Sequence, residues 1–214
     1  MAIGVVQTWT TVNVTGTEAI TGTALTAGSV MVFWVAVQAS KTITPPASVN
    51  SKLKFVDSPM IEMFTYTAVG GETTFTFSYS GGTNGTVWAV EFSSLTETAN
   101  GAGATNGSGA SSVTTLSSGT TETTTQADEL IIAGFGLGGT SGASVSISNS
   151  FTQPSTNTNS KGTAAYKIVA ATGTYETTWA WTTSRRCAAA ILALKGKVGV
   201  PLFAHHYNRM KRAA

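Results

Sequence analysis

The sequence predicts an all-β protein: a jelly-roll-like antiparallel β-sandwich built from two similar four-strand halves, followed by a C-terminal extension. Three observations carry that expectation. The order of apolar strands and polar loops in residues 25 to 95 repeats in residues 126 to 195. Thr (38), Ser (22) and Gly (23) dominate a chain whose charged residues make up only 10 %, and β-branched Thr suits a pleated, half-buried surface. Before residue 195 there is no apolar stripe at the helical spacing of i, i+3, i+4 and i+7.

Within each half the elements follow one order. An apolar strand opens it, Ser29 to Val37 in the first half and Glu129 to Phe135 in the second, and a polar loop then leads to a lone aromatic, Phe55 or Phe151. A short strand follows (Glu62 to Thr67 against Thr163 to Val169), then a Gly-led alternating strand (Gly71 to Phe77 against Gly173 to Trp181). The closing strands are Thr86 to Phe92 and Arg186 to Leu194. In the first alternating strand Phe75, Phe77 and Tyr79 share one face and Thr74, Thr76 and Ser78 the other, the period-2 pattern of a strand with one buried side. Trp179 and Trp181 share the equivalent face, so both aromatic sets are read as core.

The remaining segments are assigned by the same logic. Ile3 to Asn13 is expected to be a further strand that completes or straps a sheet edge. Pro45-Pro46 fixes an extended loop. Asn100 to Ala110, rich in Gly and Ala, is expected to be a mobile crossing loop, and Thr114 to Thr125 one more strand at an edge. The body is therefore one domain, residues 1 to 195, because neither half of about 70 residues would bury much core alone. Residues 196 to 214 are a basic C-terminal arm.

Function is approached first through the groups that chemistry needs. The ten acids are scattered, and Asp128-Glu129, the one adjacent pair, is read as a solvated strand entry. Glu62 and Glu91 could face each other as paired glycosidase carboxylates do, but the second half has no acid matching Glu91. His205 and His206 lie in the arm, away from any cluster with metal-ligand spacing. There is no Gly-x-Ser-x-Gly elbow, and Gly134-Phe-Gly leads into a loop and not a helix. No enzymatic activity, cofactor or metal is expected. Cys187, the only cysteine, reads as a buried inert thiol. No leader peptide or membrane span is recognisable, so the expectation is a protein made in the cytoplasm but built for an external surface.

The arm stands out. Lys195, Lys197, Arg209, Lys211 and Arg212 fall in residues 195 to 214 with no acid, whereas the preceding residues hold seven basic and ten acidic groups. Leu202, Phe203, Tyr207 and Met210 lie among these charges. Leu202, Phe203, Tyr207, Arg209, Met210, Lys211 and Arg212 are accordingly the candidate partner-docking residues, the apolar ones seating on a protein and the basic ones meeting an acidic surface. Without a basic face on the body, specific nucleic-acid binding is not expected.

The strands Leu25 to Val32, Gly85 to Phe92, Asp128 to Ala133, Ala165 to Ile168 and the Ala-rich closing strand ending at Leu194-Lys195 resemble a group of β-sandwich proteins encoded by tailed bacteriophages. These are minor structural or concanavalin A-like virion proteins, and the resemblance covers about residues 20 to 195. It implies a virion component on the particle surface, a capsid decoration, head fibre or tail appendage, whose partners are other capsid or tail proteins. It also implies a homo-oligomer, by analogy a trimer, and carries over no catalytic residue. The alternative is a lectin-like adhesion module for host-surface glycans, with Trp9, Trp34 and Tyr66 as contacts wherever packing leaves them unburied.

Overall fold

The computed structural model describes residues 2–14, 16–38, 41–57, 59–80, 85–139, 145–154 and 162–198. Among them are sixteen strands: β1 (Gly4–Val14), β2 (Thr17–Thr21), β3 (Val30–Val37), β4 (Ile43–Thr44), β5 (Asn50–Phe55), β6 (Met60–Thr67), β7 (Thr74–Tyr79), β8 (Gly85–Ser93), β9 (Leu95–Ala99), β10 (Ala104–Gly107), β11 (Val113–Thr120), β12 (Glu129–Leu137), β13 (Val145–Ile147), β14 (Gly162–Val169), β15 (Glu176–Arg185) and β16 (Cys187–Gly196). All pair antiparallel, in four sheets.

The two halves have like strand orders, each with eight strands among the described residues. The first half makes a five-stranded inner sheet, β1-β8-β3-β6-β5, and a three-stranded outer sheet, β2-β7-β4. The second makes an inner sheet β10-β16-β12-β14, with β9 also on β16, and an outer sheet β11-β15-β13. In the inner sheets the order is the same: β8 lies between β1 and β3, β16 lies between β12 on one side and β9 with β10 on the other, and β6 and β14 flank β3 and β12. Even β5 has a remnant partner in the second half, a single bridge from Thr152 to Tyr166 on β14.

Three apolar layers join the four sheets, and side-chain alternation assigns each residue to one of them. Met31, Phe33, Val35 and Val37 of β3 meet Ile20, Phe75, Phe77 and Tyr79 of the first outer sheet. Ile131, Ala133 and Phe135 of β12 meet Trp179 and Trp181 of the second, Phe135 lying 4.9 Å from the Trp181 ring. The opposite faces of these inner strands meet each other: Val32, Trp34 and Ala36 with Ile61, Met63, Trp88 and Val90 on one side, Leu130, Ile132, Ala164, Ala190 and Leu192 on the other. β3, β8, β12 and β16 are thus buried on both faces. The inner sheets approach closely at Gly134, where a Cβ would stand 2.8 Å from Ile61 Cγ1 and 3.2 Å from Trp34 Cδ1.

Several expectations need correction. The expected single eight-strand sandwich of two four-strand halves gives way to eight strands in each half. Ala104–Gly107, expected in a mobile crossing loop, is paired with β16. Glu129, expected at a solvated strand entry, is fully buried. β1 does lie at a sheet edge, but register shifts between Val5 and Gln7 and between Trp9 and Val12 break its simple alternation. β16 runs to Gly196 and Lys197 is bonded beyond it, so the body reaches further than residue 195.

Candidate functional site

Both halves turn their loops preceding β3 and β12 toward the same end of the body, and each loop is held by a buried carboxylate. In the first half Glu91 of β8 accepts from Ser29 Oγ at 2.5 Å, Thr26 N at 2.8 Å and Gln7 Nε2 at 2.6 Å. Burial alone would raise its carboxyl, but these donors outweigh it and hold it below the usual carboxylate range. In the second half the carboxylate comes from β12 itself: Glu129 Oε1 accepts from Thr125 N at 3.2 Å and Gln126 N at 3.3 Å. Here burial wins, and two amides with the charge of Lys195 only partly offset it, so Glu129 is raised. Thr26 and Thr125 stand equally far before β3 and β12. The two halves thus cap one backbone position with acids from different strands.

The end of β16 is clasped by these loops and by the link between the halves. Gly196 N donates to Asp128 O at 3.1 Å, Gln126 Nε2 to Gly196 O at 3.0 Å, and Thr96 Oγ1 to Lys195 O at 2.8 Å. Lys197 N donates to Ser94 O at 2.8 Å, and its Nζ reaches Gly28 O at 2.6 Å in the first half. Glycine is required at 196, because a Cβ there would lie 2.2 Å from Asp128 O. Ser94, in the short link from β8 to β9, takes φ 55° so that the chain can cross between inner sheets. The arm therefore departs from a point fixed by both halves.

A third carboxylate ties the inner sheets together at their margin. Glu97 of β9 accepts from Thr67 Oγ1 at 2.6 Å, Thr65 Oγ1 at 2.7 Å and Asn50 Nδ2 at 2.8 Å, with Lys52 Nζ at 3.3 Å. Burial opposes ionisation, yet the three donors and the Lys52 charge bring its pKa down to about 2. Glu62 of β6, 5 % exposed, accepts from Ser51 Oγ at 2.6 Å and lies 3.5 Å from Lys54 Nζ. Among the described residues no group of three or more His, Cys, Asp and Glu could hold a metal ion.

Of the predicted glycan contacts, Trp9 and Tyr66 meet on the Phe75 ring, and Trp34 lies in the layer between the inner sheets. Trp9 and Trp34 are 2 % and 0 % exposed. Their rings are core, which corrects their candidacy as glycan contacts. Trp34 faces the second half, and the Trp9 ring lies 5.7 Å from Phe75 while its Nε1 donates to Gln7. Tyr66 is half-buried, edge-on to Phe75 at 5.0 Å, and its hydroxyl donates to Glu72 at 2.7 Å. Leu202, Phe203, Tyr207, Arg209, Met210, Lys211 and Arg212 lie outside the described residues. The clasp residues Gln7, Thr26, Ser29, Gln126 and Gly196 were missed by sequence reasoning. Their one signal was an acid standing in a run of apolar strand residues, as Glu91 does in Gly85–Ser93.

No family model, curated protein or solved structure matches this chain.

Proposed function

We propose that this chain is a structural protein of a bacteriophage particle surface, a capsid decoration, head fibre or tail appendage, anchored through its C-terminal arm. The observation that carries the reading is the clasped exit: a body made of two like units delivers a basic, apolar-studded segment from one fixed point. Rigid delivery suits an anchor, since a partner that grips the arm then also orients the body. The described carboxylates have structural work: Glu91, Glu97 and Glu129 hold loops and sheets together. That supports a scaffold over a reacting centre.

The finer architecture is part of the same proposal. Each half is read as a jelly roll, a reading supported by the order β1-β8-β3-β6 facing β2-β7-β4 and by its recurrence in β9 to β16. Copies are proposed to associate with closed symmetry, a trimer by the resemblance described above.

The test is co-sedimentation of the purified protein with phage particles that lack it, for the full chain and for a chain ending at Val198. Cutting there keeps Gly196 and Lys197, whose bonds belong to the body. The full chain is expected to pellet with particles and the shortened chain to stay in solution. Equal pelleting of both, or binding to host cells alone, would overturn the proposal.

A further inference from the structure

The two like loops before β3 and β12 are held by carboxylates in unlike ways. In the first half both oxygens of Glu91 are occupied: Oε1 accepts from Ser29 Oγ and Thr26 N, and Oε2 from Gln7 Nε2. In the second half Glu129 is 0 % exposed and is bonded on Oε1 alone, by Thr125 N and Gln126 N, while Oε2 is buried without a hydrogen-bond partner. Cations do not make up the difference. Lys195 stands opposite Glu129 in the ladder with β16, yet among the described residues no ion pair joins the two. The other titratable groups on the packed elements are engaged elsewhere. Lys167 of β14 donates to Asn149 O, Glu122 in the loop accepts from Ala102 N, Tyr175 donates to Ala171 O, Glu176 of β15 accepts from Thr120, and Glu97 of β9 turns to Thr65 and Thr67. Asp128 is the next residue in the chain and adds a like charge.

We propose that Glu129 makes the second clasp a proton-sensitive latch on the exit of the arm, closed while the carboxyl holds its proton and opening more readily once it is ionised. A buried carboxylate oxygen without a donor is costly, and a neutral carboxyl much less so. Local opening of the loop is what admits water to it. That loop also holds the end of β16, since Gln126 Nε2 donates to Gly196 O and Asp128 O accepts from Gly196 N. Burial accordingly keeps the Glu129 carboxyl above its ordinary 4.5, against the two amides and the Lys195 charge. With the folded value raised, the contribution of this group is complete below the unfolded value and is lost as pH rises through the folded one, the reverse of Glu97. Glu91 is held below the usual range, so the first clasp has no such response there.

Amide hydrogen exchange in the full chain, read residue by residue by NMR and corrected for its intrinsic pH dependence, tests the latch. Between about pH 4 and 8 the protection of Gly196 N is expected to fall with rising pH, by at most about tenfold per pH unit for one proton, and then to level off. Thr26 N, which rests on Glu91, should keep its protection over the same range. E129Q leaves an acceptor for the two amides without a charge and should flatten the response at Gly196. A response that persists in E129Q would belong to other groups, His205 and His206 of the arm included, and would overturn the latch. Wild-type protection of Gly196 that does not fall would overturn it as well, and that result needs no variant. So would a carbon-13 titration of the Glu129 carboxyl with its midpoint at or below the ordinary 4.5. These readouts are taken on the isolated protein, so the latch can fail while particle attachment holds, and the reverse.

Discussion

Replacing Gly134 with alanine probes a close contact between the two inner sheets. The added methyl would meet Ile61 Cγ1 at 2.8 Å, Ile61 Cδ1 at 3.0 Å and Trp34 Cδ1 at 3.2 Å, all across the boundary between the two inner sheets. Neither neighbour has room to yield, since Ile61 and Trp34 are both 0 % exposed. Overpacking of this kind costs about 1–3 kcal/mol, and G134A should lower stability by that amount in urea unfolding followed by tryptophan fluorescence. I61A alone leaves a hole and should cost about 2–5 kcal/mol. In the double variant the new methyl occupies space that the lost Ile61 atoms vacated, so the sum of the single penalties should exceed the measured loss by about 1–3 kcal/mol. Strict additivity, or a neutral G134A, would refute the face-to-face packing of the two halves at this point.

Three further outcomes follow from the geometry. W181A, removing a 5 % exposed ring packed on Phe135, should cost about 3–5 kcal/mol, and an unchanged thermal midpoint would remove that ring from the core. Glu97 is held at about 2 in the folded protein, below its ordinary value of 4.5. Its contribution is therefore complete above the unfolded value and disappears as pH falls through the folded one. E97Q should flatten the acid side of the stability profile in that window, and an unaltered profile would deny the network its role. Ending the chain at Val198 should leave the unfolding midpoint of the body unchanged, whereas ending it at Lys195 should lower that midpoint by removing the bonds of Gly196 and Lys197.

The long strands were readable because they carry their signal in their own residues. Phe75, Phe77 and Tyr79 alternate with hydroxyls, and they do line a core. What was missed has the opposite character. Ile43–Thr44, Ala104–Gly107 and Val145–Ile147 are too short for any period to show, and they become strands because a long neighbour offers its backbone edge. The doubling of layers did leave a trace: Val30–Val37 and Cys187–Leu194 lack a polar face, the mark of strands covered on both sides. The carboxylate clasps were illegible for another reason. Glu91 meets residues 62, 65 and 84 positions away, and no local pattern announces such distant donors.

The position of Ile3 has a practical meaning. A Cβ on Gly196 would stand 3.2 Å from Ile3 Cδ1, so the first and last strands begin and finish side by side. Anything joined to the body ahead of Ile3 or beyond Val198 would share one pole of it. The turn at Ser108 to Ser111, beyond the end of β10 that pairs with the start of β16, belongs to the opposite pole. A peptide grafted into that turn would stand at the pole opposite Ile3 and Gly196, so an insertion there leaves the bonds around the end of β16 untouched.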